Sequence, residues 1–425
     1  MAHARGRRGD LVARASAHTR NPIILQAGDS LLALLLFWCM FVPVGATWSV
    51  DAALAGHRPR SRRVASVGTL ALLLQMPCVY LFTALLKGGP EWHSRFTAIQ
   101  DALRDDFIAT PLGAWLGATL PARALQTMTL GVLMLELAVP VLLLSPVRTG
   151  RTRAMALPVL AVLQISFAFC LRIGLFPVIS TAAIMVFVPT ESWDRLRVGT
   201  ARLRARAALL AARLRASSIG RTSARAAGLL GAGRPRFHLG LGASVVCGAV
   251  LLFGVVDNVS GVLGAQVVPR PINDAARALR LRQSWRMFAR SSQVRRWFVL
   301  EGTLENGAQV DLLTHTDGAP DGARPEHISD TFENYRWRKY FGNVAGKRED
   351  VQRRALAAWL CRSGNEGRAA GERLTRVVAY RYSEPANVAP GAAPAKRARM
   401  FTKECAPPQA PGPRRSRLVL GAASL

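Results

Sequence analysis

One long apolar run that ends in a lysine limits what this chain can fold into. Residues Val64 to Lys87 form an apolar stretch of about 23 residues, enough to cross the hydrocarbon core of a bilayer as a helix. Gly88, Gly89 and Pro90 follow Lys87 and stop a helix at that point. Within hydrocarbon the backbone N–H and C=O groups must be satisfied inside the segment, so the run predicts a transmembrane helix.

Similar runs recur along the chain, and they predict an α-helical integral membrane bundle of about six spans. The expected membrane domain covers residues 23–262, with spans at residues 23–44, 64–87, 127–145, 154–171, 176–188 and 239–256. Residues 88–126 are mixed in character and are predicted to be re-entrant or interfacial. A very short link separates the fourth span from the fifth, so these two form either an antiparallel hairpin or one broken helix.

The distribution of the arginines predicts which loops lie inside. A formal net charge of +30 would suit a nucleic-acid-binding protein, but the arginines crowd into loops between apolar runs. We therefore expect membrane lipids as partners and no nucleic acid. The positive-inside rule places the basic loops after spans one, three and five inside, including residues 190–236, and leaves the C-terminal portion outside. The basic N-terminal segment, residues 1–22, conflicts with this alternation, so either the first run does not cross or further helices precede it.

Beyond residue 269 the composition changes, and residues 270–387 predict a small α+β domain outside the membrane. Residues 297–304 are rich in strand-forming side chains, and so are residues 309–313. Asn306 and Gly307 lie between them as a hairpin turn, so these two strands are predicted to pair.

The remainder of the C-terminal portion carries weaker signals. Residues 375–382 predict a further strand, and residues 333–340, ENYRWRKY, could contact lipid headgroups or the outer mouth of the bundle. The Pro-, Ala- and Arg-rich residues 388–425 predict a disordered basic tail. Cys361 and Cys405 lie outside the apolar runs and could form a disulfide if this region faces an oxidising space.

Ionisable side chains within spans usually face a bundle interior or a water-filled cavity. Glu136 is the deepest, about 13 Å from the end of its span at 1.5 Å rise per residue. Lys87 shares one helix face with Thr83 and Tyr80, so that this face could line an outward-opening cavity where a desolvated lysine acts as a base. The candidates are Lys87 as the base and, as liners of a ligand cavity, Asp29, Tyr80, Thr83, Trp92, Glu136 and Arg172.

Structural explanations exist for the same residues. Lys87 could extend its ammonium to the headgroups, and Arg172 could anchor the interface. Trp92 could belong to an aromatic belt, and Glu136 could pair with Gln164. No Cys/His spacing typical of a metal site occurs, and no Walker loop or nucleophile triad is present.

Several motifs occur in one order along residues 20–345, and together they resemble the HTTM family, the membrane domain related to vitamin K-dependent gamma-carboxylase. The motifs are RNPIILQAGD, FWCMFVPVGATWSVDAAL, LLKGGPEWHS, RIGLFPVIS, QSWRMFA and NYRWRKY. In the carboxylase, oxygenation of vitamin K hydroquinone makes a strong base that removes a proton from the gamma carbon of glutamate, and carbon dioxide then adds. The resemblance implies a reduced quinone such as vitamin K as cofactor. The lysine and tryptophan of that active site match Lys87 and Trp92, and Glu136 replaces an aspartate.

The chain also departs from the carboxylase pattern. Asp29-Ser30 stand where the carboxylase has a histidine, and residues 164–170 contain no histidine. These departures argue against epoxidation-driven carboxylation. The resemblance implies a bacterial inner-membrane protein, and the family usually has further helices before residue 20.

Two main functional hypotheses follow from the sequence. The first is a membrane protein that binds a lipid-soluble, quinol-like ligand and that, if it is an enzyme, acts as a carboxylase-like lyase or a quinol-dependent enzyme. The alternative is a non-enzymatic membrane scaffold that docks a protein substrate or partner through its C-terminal domain. A transporter is a third hypothesis, suggested only by the short fifth span and Glu136.

Overall fold

The computed structural model describes residues 21–46, 64–196, 198–199, 239–346, 350–386 and 394–406. They divide into two compact units, Met1–Ser291 and Ser292–Leu425. The boundary between these units therefore lies at Ser291/Ser292, whereas the sequence placed the start of the soluble domain at residue 270. The end of the FWCMFVPVGATWSVDAAL motif, from residue 47 on, lies outside the described residues, and so does most of the predicted basic loop 190–236.

Apolar helices build the first unit. Among the described residues, four helices are long and apolar enough to cross a membrane: α2 (Val67–Leu85), α6 (Ala122–Leu144), α7 (Thr149–Cys170) and α9 (Leu241–Leu263). The shorter helices are α1 (Ala27–Cys39), α3 (Pro90–His93), α4 (Ala98–Leu103), α5 (Pro111–Thr119), α8 (Phe176–Ile184) and α10 (Arg270–Ala278). The four long helices coincide with the predicted second, third, fourth and last spans.

The first predicted span, residues 23–44, is much shorter than expected. Only α1 forms there, and its 13 residues extend over about 20 Å, less than the hydrocarbon thickness. A capping box starts this helix: the side chain of Gln26 accepts from the backbone of Asp29, and the Asp29 carboxylate accepts from the backbone N–H of Gln26 at 3.1 Å. The prediction of six spans is therefore not confirmed.

The fifth predicted span, residues 176–188, is interrupted. Helix α8 continues into a 3-10 turn at Met185–Phe187, and the chain then bends by 100° into the helix Thr190–Leu196. Pro189 lies at the bend, where its ring disfavours a continuous helix. Counted as one broken span, this pair raises the number of candidate spans to five.

The core of the first unit lies between α1, α2, α6, α7 and α8. Helix α2 has the largest buried share of the four long helices, so it is the central element of the bundle. The outer faces of α6, α7 and α9 instead expose large apolar side chains, as expected for lipid contact. Fully or almost fully buried members of the core are Leu31, Leu34, Met76, Val139, Leu160, Phe187 and Trp285.

Residues 88–126, predicted to be interfacial or re-entrant, fold into the short helices α3, α4 and α5. The end of α7 holds the start of α5, because Thr110 donates its backbone N–H to the Cys170 carbonyl at 3.0 Å. Gly113 permits this approach, since a Cβ there would lie 2.2 Å from the Cys170 carbonyl oxygen. The segment is therefore fixed to the bundle at its second half.

An antiparallel sheet of five strands forms the second unit. The strands are β1 (Val294–Leu304), β2 (Gln309–Asp311), β3 (Thr316–Asp317), β4 (Leu374–Pro385) and β5 (Lys396–Glu404), in the order β3-β2-β1-β4-β5. Thr303 pairs with Gln309 across the predicted turn, where Gly307 has a φ of +84°. The predicted hairpin and the predicted strand at residues 375–382 are therefore confirmed.

Two helices accompany this sheet, α11 (Tyr335–Val344) and α12 (Asp350–Asn365). Asn334 caps α11 by accepting from the backbone N–H groups of Arg336 and Trp337. A disulfide joins Cys361 of α12 to Cys405, just after β5.

The prediction of a disordered tail from residue 388 is wrong for residues 394–406. This segment includes β5, which pairs along β4 as an edge strand. The prediction of disorder rested on the basic composition of this segment. Charged residues are also common on edge strands, where they discourage pairing with other chains.

Candidate functional site

Lys87 lies just beyond α2 and turns into the bundle. Its side chain is 2% exposed, and its Nζ forms an ion pair with the Glu136 carboxylate on α6. The backbone N–H of Lys87 still bonds to the Ala84 carbonyl at 3.1 Å, so the residue completes the last turn of the helix. The ammonium therefore does not extend to the headgroups, and Glu136 is paired with Lys87 and not with Gln164.

The ring of Trp92 also contacts the ammonium. Lys87 Nζ lies 4.2 Å from the centre of the Trp92 ring, within the range of a cation–π interaction. The short helix α3 provides this ring, and Pro90 at its first position fixes the direction in which the chain leaves Gly89. Lys87, Glu136 and Trp92 thus form one buried group of cation, anion and aromatic ring.

The neighbours of Trp92 hold α3 in place. His93 contributes a ring nitrogen, Nε2, that donates to the Lys87 carbonyl oxygen, so it caps a carbonyl at the end of α2. Glu91 is buried, and its Oε1 accepts the backbone N–H of Ser291 at 2.9 Å. His93 was not among the candidates predicted from the sequence, because no local motif marks a histidine that caps a carbonyl six residues before it.

Tyr80 and Thr83 lie in the last turns of α2 before Lys87, and both are buried. Gln164 on α7 donates from Nε2 to the Tyr80 hydroxyl at 2.9 Å. The Thr83 hydroxyl and the Gln164 carbonyl oxygen are buried and have no hydrogen-bond partner among the described residues. Unsatisfied polar atoms inside an apolar bundle are costly, so these two are available to a ligand or to water.

Asp29 and Arg172 have other surroundings. Asp29 is buried in the capping box at the start of α1. Arg172 follows α7 and donates its backbone N–H to the Ile108 carbonyl at 2.6 Å, next to the bridge between Ala109 and Leu171. Both residues therefore lie at helix ends, whereas Lys87, Glu136 and Trp92 are in direct contact.

The QSWRMFA motif contacts this site, although it lies within residues 270–387, which were predicted to form the soluble domain. Trp285 is fully buried in the core of the helical unit, and the Phe288 carbonyl accepts from Trp92 Nε1 at 2.8 Å. Asp257 on α9 was also missed. It lies one residue beyond the predicted last span, residues 239–256, but inside the observed helix, where it is buried.

The donor groups do not indicate a metal centre. Among the described residues, no group of three His, Cys, Asp or Glu side chains could hold a metal ion. The arrangement at Lys87 instead offers a proton donor, a proton acceptor and an aromatic face.

Comparison with protein families gives one match. Residues 29–193 match the model of the HTTM domain. This part of the chain is an HTTM domain. The match covers α1 through α8, so Lys87, Trp92 and Glu136 all belong to the HTTM domain, whereas Asp257 and the QSWRMFA motif lie beyond it. A search of curated proteins found no match, and a search of solved structures found none.

Proposed function

We propose that the HTTM domain binds a lipid-soluble ligand of the reduced quinone type beside the Lys87–Glu136 pair, with Lys87 as the reactive base. The observation that carries this proposal is the burial of the pair among apolar helices against the face of Trp92. Charged groups at such a position are expensive, and they are usually retained for function.

Proton transfer within the pair can produce a basic amine at Lys87 while the net charge of the pair stays at zero. If the Lys87 ammonium transfers one proton to the Glu136 carboxylate, the products are a neutral amine and a neutral carboxylic acid. Two neutral groups are easier to hold in a medium of low dielectric constant than a separated charge. The free amine can then take up a proton from a neighbouring acid, while Glu136 keeps the first proton until the pair is restored.

The surroundings of the pair fit a ligand with an apolar body and a polar head. The unsatisfied Thr83 hydroxyl and Gln164 oxygen would hydrogen-bond the head, next to the Tyr80 hydroxyl. The apolar side chains of the core would contact the body. A bound hydroquinone would supply redox chemistry that these side chains lack. The absence of histidine from residues 164–170 argues against epoxidation-driven carboxylation as that chemistry.

We also propose that the protein resides in a bacterial inner membrane with its C-terminal unit outside. The Cys361–Cys405 disulfide supports this orientation, because stable disulfides are rare in the reducing cytosol and common in the periplasm. The positive-inside rule supports the same orientation, because it places the arginine-rich loops inside and leaves the C-terminal unit outside.

Reconstituted protein with reduced menaquinone or reduced vitamin K tests the ligand proposal. We expect saturable quinol binding by wild type, a loss of about tenfold or more in affinity or turnover for Lys87→Ala, and no change for Lys403→Ala. Lys403 is the matched control because it is an exposed lysine on β5. Epoxide formation and incorporation of labelled carbon dioxide are followed in the same samples.

If wild type neither binds nor turns over any quinol, the ligand proposal is wrong. The alternative, a scaffold that acts through its C-terminal unit, then gains support, since that unit is compact by itself. Its partner would be found by crosslinking in membranes, and binding would persist in Lys87→Ala.

A further inference from the structure

The stretch between α10 and β1 is irregular, yet part of it is as buried as the core. Residues 282–291, which we name the strap, contain no helix or strand. Trp285 within the strap is 0% exposed and packs in the same cluster as Leu31 and Leu160. An irregular segment inside an apolar bundle must have its polar groups satisfied, so the contacts of the strap indicate what it does.

Asp257 holds the first end of the strap. Its Oδ1 accepts from the Arg282 side chain at 2.9 Å, and its Oδ2 accepts from the Gln283 backbone N–H at 2.9 Å. Asp257 is 3% exposed, whereas the Arg282 side chain is 44% exposed. Both carboxylate oxygens are therefore used, and the charge of Asp257 is compensated by an arginine that reaches solvent.

Gln283 connects the strap to the helices. Its side-chain oxygen accepts three N–H groups, from Gln75 at 3.2 Å, Trp285 at 3.1 Å and Asn258 at 3.3 Å. Gln75 in turn accepts from Trp38 Nε1 at 2.9 Å. The first half of the strap is thus joined to α1, α2 and α9 by a continuous chain of buried hydrogen bonds.

The second end of the strap lies on α3. Ser291 donates its backbone N–H to Glu91, and the Phe288 carbonyl accepts from Trp92 Nε1. Phe288 has a φ of +54°, which is unfavourable for a bulky side chain and persists only where the surroundings fix it. The Phe288 carbonyl thus binds the tryptophan whose ring lies over the Lys87 ammonium.

From these contacts we infer that the strap is a cover that positions Trp92 over Lys87 and keeps the Lys87–Glu136 pair out of water, with Asp257 and Glu91 as its two anchoring residues. The pair belongs to the HTTM domain, but its cover is supplied by the chain beyond the last long helix. The inference bears on activity only through the function proposed above, and its test needs no ligand.

Chemical labelling of amines in the full-length protein in nanodiscs tests the inference. Each lysine is scored by mass spectrometry after brief exposure to a water-soluble acylating reagent. Lys396 and Lys403 are exposed and serve as internal references. In wild type we expect Lys87 to react at least about tenfold more slowly than either reference, because it reacts only after local opening. Equal rates in wild type would overturn the inference without any variant.

Glu91 variants test the second anchor. We expect Glu91→Ala to raise the labelling rate of Lys87 about tenfold, because a hydrogen bond to a charged acceptor changes an opening equilibrium by roughly that factor. Glu91→Gln keeps an oxygen that accepts from Ser291, so its rate should stay within about twofold of wild type. A general loss of structure would raise both rates, and that result would contradict a positioning role for Glu91.

Asp257→Asn tests the first anchor against a matched control. We expect it to raise Lys87 labelling about tenfold, because both Asp257 oxygens accept hydrogen bonds and asparagine keeps only one of them, while Asp274→Asn leaves the rate unchanged. Asp274 also pairs with an arginine, Arg277, but both side chains of that pair are more than 60% exposed. Unchanged Lys87 labelling in Asp257→Asn and Glu91→Ala would show that the strap does not shield the pair. Because quinol is absent, the inference and the proposed ligand can fail independently.

Discussion

Replacing one residue of the Lys87–Glu136 pair should destabilise the protein, whereas replacing both residues together should not. Lys87→Met or Glu136→Leu alone leaves a buried partner without its counter-charge, which costs about 3 kcal/mol of unfolding free energy. The double variant Lys87→Met/Glu136→Leu leaves no charge to compensate and adds apolar contacts, so we expect it within about 1 kcal/mol of wild type or above it. Both residues are at most 5% exposed, so solvent screening does little to reduce the penalty.

Unfolding free energies of the four proteins in one detergent or bicelle system complete a double-mutant cycle. The exposed pair of Asp274 and Arg277 is the matched control, and its single variants should change stability by no more than about 0.5 kcal/mol. Quinol binding measured on the same samples should fail in all three Lys87 and Glu136 variants. If the double variant is as unstable as the single variants, the pair itself contributes to stability, and the view that it is retained for function alone is wrong. Single variants as stable as wild type would refute the burial itself.

Three other predictions follow from the structure. Replacing Cys361 and Cys405 with serine should lower the unfolding free energy by about 4 kcal/mol, the chain-entropy value for a 44-residue separation, as followed by denaturant titration with and without reductant. Gly113→Ala should destabilise the bundle by about 1–3 kcal/mol because its Cβ would overlap a backbone carbonyl, whereas Gly131→Ala meets open space and should be neutral or stabilise by up to about 1 kcal/mol in thermal melts. A cysteine introduced at the exposed Ser94 should react with an impermeant maleimide from the periplasmic side of oriented vesicles, and reaction from the cytoplasmic side alone would contradict the proposed topology.

Local sequence signals predicted the long helices and the hairpin well. The apolar length of α2, α6, α7 and α9 is a property of each segment, since a bilayer selects on length and hydropathy. The turn at Asn306-Gly307 likewise needs only the residues around it, because Gly307 adopts the positive φ that such a turn requires. Composition did not predict strand β5, because the segment that contains it is rich in basic residues. The strand is held by its hydrogen bonds to β4 and by the disulfide at Cys405, and neither is visible in the local composition.

The sequence by itself determined which residues are unusual, and the tertiary structure decided what they do. Lys87, Trp92 and Glu136 stood out because ionisable side chains near or within apolar runs need an explanation. That Lys87 pairs with Glu136, and that Trp92 covers it, depends on how α2, α3 and α6 pack across 49 residues of chain. The strap lies farther still, since Trp92 and Phe288 are 196 residues apart. Helices form from local hydrogen bonds, which the sequence of each segment determines. A buried charge instead pairs with a residue from a distant segment, and hydropathy along the chain does not predict which residue that is.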